Sequence, residues 1–396
     1  MDSGSYYRRG WDVLKKGKND QAIALFTEGL KESPDDWTLL ESRAQVLDTI
    51  GNQEAAVADY TRIIAVRPDF YDSWRGRGNQ YHRMGEYDKA IADFTEALAR
   101  ASGHSFIWLE RGISYCEKGE LGAALEDCNK AVALDPEYPR ALINRGIVWR
   151  KMGDLDSAIC DFTFAIICEP ESYWALGQRG SCWFMKKEFE KAVANYSAAI
   201  AIRPEDAVSW VSRGVCYWNM GGSGQVLMER VDKAYENFDK ACELDPGYAY
   251  AHWCRGEAGR IQAKEEIGWA QAAAAGRMRD GAEGMVMARQ LERMGHEELV
   301  PAFGSFLGTL RSNRTEAEEI VFNFAGSLAD YSLREAVEDF TKAISLEPGN
   351  AEAFHSRGLC YQMWGKFEEA LADFEQTLVL DPNHADAAKK RAELRP

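Results

Sequence analysis

Apolar residues return along this chain at helical spacing, and the whole pattern returns after 34 residues. "RGNQYHRMGEYDKAIADFTEAL" begins at Arg77, "RGISYCEKGELGAALEDCNKAV" at Arg111 and "RGIVWRKMGDLDSAICDFTFAI" at Arg145. We number each copy so that Arg-Gly occupies positions 7 and 8. Positions 4, 7, 8 and 11 then lie three or four apart and share one face of a helix. Positions 20, 24 and 27 do the same for a second helix. A Gly or polar residue near position 15 separates the two, as Gly85, Gly119 and Gly153 do. Each unit therefore predicts an antiparallel helix pair.

Several markers keep the same phase. Arg-Gly recurs at Arg9, Arg77, Arg111, Arg145, Arg179, Arg213, Arg255 and Arg357, with Arg43-Ala44 an altered copy. Position 20 is Ala in every clear copy, from Ala22 to Ala370. Position 24 carries Phe26, Tyr60, Phe94, Cys128, Phe162, Tyr196, Phe238, Phe340 and Phe374. Prolines 34, 68, 136, 170, 204, 246, 348 and 382 all fall at position 32, where proline ends the second helix. Gly at 8 and Ala at 20 let the two helices approach, and the aromatic at 24 fills the space beside them. One pair cannot bury its own apolar face, so neighbours must stack.

Trp74, Gly78, Tyr81, Ala90, Phe94 and Ala97 in one copy, and Trp108, Gly112, Tyr115, Ala124, Ala131 and Pro136 in the next, resemble the tetratricopeptide repeat family. The resemblance covers about three quarters of the chain. It implies an all-α fold, a right-handed α-solenoid of stacked antiparallel helix pairs, with the first helices lining a concave groove.

The periodicity sets expected boundaries. Residues 1–248 hold seven repeats, the seventh with eight extra residues near 221–230, in "GGSGQVLMERVDKAY". Residues 259–331 lose the signature, yet Pro246 and Pro348 lie 102 residues apart, three times 34. Residues 249–350 are read as three in-phase, largely degenerate repeats. Arg255-Gly256 would open the first and Ala336/Phe340 close the last. The alternative is a helical insert that folds out of the solenoid. Residues 351–384 form a regular repeat and 385–396 a capping helix.

Asp59, Asp93, Asp127, Asp161, Asp339 and Asp373 recur at position 23. They are expected to pair with the position-7 arginines in an inter-helix ladder; independent exposure of both is the alternative. The formal charge of −16 disfavours nucleic acid as a partner. No apolar run is long enough for a membrane span, and the first residues lack a signal-peptide core. Nine cysteines without C-x-x-C or zinc spacing imply buried free thiols in a reducing, cytoplasmic setting.

Chemistry is sparse. The six histidines are scattered at 82, 104, 252, 296, 355 and 384, and neither H-E-x-x-H nor a Walker loop occurs. No catalytic residue, metal site or cofactor is expected. The remaining role is recognition. The family resemblance implies that positions 2, 5, 9, 12 and 13 of the first helix face the groove. They give Arg75 and Asn79 in repeat three, Phe106, Leu109 and Ile113 in repeat four, and Ile143 and Ile147 in repeat five. Repeat six adds Trp174 and Phe184, repeat seven Val211, Val215 and Trp218, and repeat eight Tyr250 and Trp253. Some family members clamp a partner's C-terminal carboxylate here; Arg75, Asn79, Arg140 and Asn144 fit in part, but Glu110 replaces an Asn and should weaken an anion site.

The expected function is thus a non-catalytic scaffold or adaptor. Its groove would bind a peptide or helix with an apolar face, unless the chain's own segments cover that groove. The alternatives are a self-assembling structural component, or the regulatory arm of a larger complex.

Overall fold

The computed structural model describes residues 3–222, 224–274 and 314–395. Nineteen α-helices, and no β-strand, occur among the described residues. The chain divides into two units, residues 1–182 and 183–396.

The first unit stacks consecutive helix pairs: α1 (Ser3–Leu14) with α2 (Asn19–Glu32), α3 (Trp37–Thr49) with α4 (Gln53–Val66), and α5 (Tyr71–Arg83) with α6 (Tyr87–Arg100). Then come α7 (Ser105–Lys118) with α8 (Leu121–Leu134), and α9 (Pro139–Met152) with α10 (Leu155–Cys168). Helix α11 (Tyr173–Met185) begins in this unit, and its last three residues belong to the second. This is the α-solenoid that the periodicity predicts.

The pairs that carry Gly at position 8 are notched as the sequence requires. A Cβ on Gly78 would lie 2.9 Å from the Phe94 ring, and one on Gly146 would lie 2.8 Å from the Phe162 ring. Phe94, Phe162 and the position-20 alanines Ala90 and Ala158 are buried. In α7–α8 the smaller Cys128 takes the place of the ring, and the matching distance from Gly112 relaxes to 3.2 Å. The turns follow the same economy. Gly119 ends α7 at φ +90°, a left-handed conformation suited to glycine. The corresponding residue after α11 is Lys187, at φ +61° and the only non-glycine residue with positive φ among the described residues.

The ladder is present. Arg77 donates through Nε and Nη2 to the Asp93 carboxylate at 2.7 and 2.8 Å, and through Nη1 to Thr61 Oγ1 of the preceding pair at 3.1 Å. Arg43 repeats this with Asp59 and Thr27, Arg111 with Asp127 and Thr95, and Arg145 with Asp161 and Asn129. Each guanidinium thus joins its own pair to the one before it. Burial pushes the Asp127 carboxyl above its ordinary value despite the Arg111 bonds. At that pair, desolvation offsets part of the attraction between carboxylate and guanidinium.

The second unit contains α12 (Phe189–Ile202), α13 (Ala207–Asn219) and α14 (Gly224–Leu244). Helix α14 runs 21 residues against 14 for α12, so the contact from Arg213 Nε to Asn237 Oδ1 (2.8 Å) spans 24 residues where the ladder pairs of the first unit span 16. Next come α15 (Ala249–Ala274) and α16 (Arg314–Leu346), which pack along each other. Arg255 forks onto Asp339 at 2.9 and 2.7 Å, and a Cβ on Gly256 would lie 3.0 Å from the Phe340 ring. Periodicity placed Arg255-Gly256 and Ala336/Phe340 in the first and third of three units. The contacts place them in one helix pair, joined across 84 residues. Residues 275–313, which the remaining in-phase units would have to occupy, lie outside the described residues. Helices α17 (Ala351–Met363) and α18 (Phe367–Leu380) form a regular pair with the Arg357–Asp373 fork, and α19 (Ala385–Leu394) buries Ala387 against it.

Candidate protein-interaction surface

In the first unit the predicted recognition residues sit on α5, α7, α9 and α11, the first helices of successive pairs. Arg75 lies with its guanidinium 5.0 Å from the Phe106 ring centroid, and its Nη1 is 3.7 Å from Glu110 Oε1. Burial pushes the Glu110 carboxyl above its ordinary value, while Arg75, Asn79 and Arg140 pull it back in part. The structure thus gathers Arg75, Asn79, Phe106 and Glu110 around one acidic centre. Glu110 Oε2 is buried without a hydrogen-bond partner, as are Arg150 Nε on α9 and Gln178 Oε1 on α11, while Arg75 Nε faces Asp72 Oδ1 at 3.5 Å. Unmade hydrogen bonds of this kind leave capacity for a ligand.

The apolar residues separate by position. Trp174 stands 52% exposed at the start of α11, a costly place for a large ring unless something covers it. Phe106, Ile113 and Ile147 are half-buried. Leu109 and Ile143 correct the sequence map, because both are buried in the clusters between successive pairs. Both occupy position 5, which here turns toward the neighbouring pair; Leu109 packs in one cluster with Ala141 of the next first helix.

The second unit shows the same division. Val211 is buried at position 5, a second correction of the same kind. Val215, Trp218 and Trp253 pack half-buried against the core around Phe238, with Trp218 edge-on to Phe238 at 6.0 Å. Phe184 is half-buried beside Tyr196. Tyr250 is 45% exposed and stacks on Trp253 at 5.7 Å. Trp253 Nε1 is buried without a partner.

Two features escaped the sequence map. Phe164 and Ile167 are more than half exposed on α10, with the exposed thiols Cys160 and Cys168 on the same helical face. Their spacing of 160, 164, 167 and 168 is itself a helical stripe and could have been read as such. Glu352, His355 and His384 also converge, which no linear motif signals. No described helix is long and apolar enough to cross a membrane.

Comparison with known proteins agrees with this architecture. Profiles described as tetratricopeptide repeat match residues 7–72, 71–104 and 351–384, and one described as TPR repeat matches 112–159. No curated protein sequence matches the chain. Among solved structures, the APC/C hetero-tetramer Cut9-Hcn1 is similar at 15% identity and a TM-score of 0.51; the match covers 96% of this chain but only 60% of that one. A tetratricopeptide repeat protein from Parabacteroides merdae is similar at 18% identity and a TM-score of 0.53, covering 65% of this chain and 98% of that one. At these identities the likeness establishes the fold alone. Recurrent notches, ladder and profiles converge on one assignment: the chain belongs to the tetratricopeptide repeat family, whose arrays serve as protein-interaction scaffolds.

Proposed function

We propose that the chain is a non-catalytic scaffold that receives a peptide or helical segment along the first-helix wall of its first unit. The observation that carries this reading is the presence, on the same series of first helices, of the exposed Trp174 ring and of buried, unspent hydrogen-bonding atoms of Glu110, Arg150 and Gln178. An apolar side chain of the ligand would cover Trp174, Ile147 and Phe106. Backbone or side-chain donors of the ligand would meet Glu110. The stack of exposed Tyr250 on half-buried Trp253 gives the second unit an aromatic surface of its own.

Peptide display against the full chain tests this. Selected peptides should lose at least tenfold in affinity to Trp174→Ala and to Glu110→Gln, with little change in melting temperature. Unchanged affinity in both variants would overturn the reading. Trp218 is a poor probe, because its packing on Phe238 ties it to stability.

Self-assembly is the second reading, favoured by the exposed Phe164 and Ile167 on α10. Light scattering across a concentration series separates the two: a mass that grows with concentration and falls in Phe164→Lys supports association.

A further inference from the structure

We propose that Glu352, His355 and His384 form a site for one divalent transition-metal ion, Zn(II) by ligand chemistry, which fastens the terminal helix α19 to the last helix pair. Glu352 and His355 stand one turn apart at the start of α17, and His384 is the residue that caps α19. One ligand atom from each falls within a set spanning no more than 4.8 Å. His384 Nε2 lies 3.4 Å from Glu352 Oε1, already about the edge of a tetrahedron with metal–ligand bonds of about 2.1 Å. His355 Nδ1 lies 4.0 Å from Glu352 Oε2, and the two imidazole centroids are 4.4 Å apart.

The surroundings of His355 suit a ligand. Its Nε2 is 2.9 Å from Asp386 Oδ2, so the ring proton sits there and the Nδ1 lone pair is directed to the Glu352 side. A carboxylate on the far ring nitrogen is the usual support for a metal-bound histidine. Phe374 packs 5.9 Å away and limits rotation of the ring. Two imidazoles and one carboxylate favour zinc-like ions over magnesium or calcium, which take oxygen ligands. Three protein ligands leave the fourth position to water.

Loading has one internal cost. His384 Nδ1 accepts the Ala387 N–H at 3.1 Å, which places its own proton on Nε2. A metal at Nε2 moves that proton to Nδ1 and gives up the cap. The site therefore exchanges one backbone hydrogen bond for a bond that spans two elements, and its affinity should lie below that of a four-ligand structural zinc site.

The test uses the full chain, freed of metal by chelation, in a Cys160→Ser/Cys168→Ser background that removes the exposed thiols. Calorimetry should show one equivalent of Zn(II) bound with micromolar affinity, and Zn(II) but not Mg(II) should raise the melting temperature. Glu352→Gln and His384→Asn should each weaken binding at least tenfold, and Asp386→Asn by about tenfold through His355. Asparagine keeps a capping oxygen at 384, and Glu352 is exposed, so at least the latter variant will fold. Absence of Zn(II) uptake at about 1 mM, or equal uptake by wild type and Glu352→Gln, would overturn the site.

Discussion

Helix pairs α9–α10 and α15–α16 make the same contact with very different amounts of chain between its halves. Arg145 forks onto Asp161 and Gly146 receives Phe162 across 16 residues; Arg255 forks onto Asp339 and Gly256 receives Phe340 across 84. The notch and the fork are therefore tertiary instructions that do not depend on a short connection. Magnitudes agree. Each doubling of a connection costs only about 0.6 kcal/mol in closure entropy. Truncating one buried aromatic costs about 3–5 kcal/mol. A single Phe in its notch can thus hold the longer pair together.

The largest expected effect tests that equality. Phe162→Ala and Phe340→Ala should each destabilise their unit by about 3–5 kcal/mol in urea denaturation. A loss below about 1 kcal/mol for Phe340→Ala alone would mean that α15–α16 is held by something else. Next come the carboxylates. Asp161→Ala and Asp339→Ala each strand a mostly buried guanidinium and should cost on the order of 2–3 kcal/mol. Asp339 also lies 3.3 Å from His252 Nδ1. If that contact matters, Asp339→Ala is the worse of the two. Exchanging both Arg145 and Asp161 for Met and Leu should be nearly neutral, because it removes the desolvation cost with the attraction.

Smaller effects separate the notches themselves. Gly146→Ala drives a methyl into Phe162 and should cost about 1–3 kcal/mol, whereas Gly112→Ala, facing the slimmer Cys128, should cost less. Equal penalties would show that helix approach, and not the facing side chain, sets the limit. Smallest is a gain: Lys187→Gly should stabilise by up to about 1 kcal/mol, since lysine there holds a left-handed backbone that its sister turns give to glycine. Thermal melts would show the direction.

Most of the fold was legible because its determinants repeat. Gly at 8, Ala at 20 and an aromatic at 24 appear in copy after copy, so a single sequence carries its own alignment. The ladder was legible for the same reason. Less legible was the stretch between Pro246 and Pro348: a multiple of 34 suggests three units with Arg255 and Phe340 in different ones, whereas the contacts bring these two into one helix pair, and residues 275–313 lie outside the described residues. At the recognition surface, position 5 misled. Leu109, Ile143 and Val211 turn into the contact between pairs, while Arg75 at that position reaches Glu110. Helical spacing fixes a direction only to within the width of a side chain, and the neighbouring pair decides the rest. Glu352, His355 and His384 were invisible because their meeting depends on how α19 docks.

Arg43, Arg77, Arg111 and Arg145 each grip two neighbours, as Arg111 holds Asp127 in front and Thr95 behind. Such an array works like a zip fastener whose every tooth is hooked to the next. Fraying should start from an open end and run inward tooth by tooth, so a cargo held midway along the row would be the last thing released.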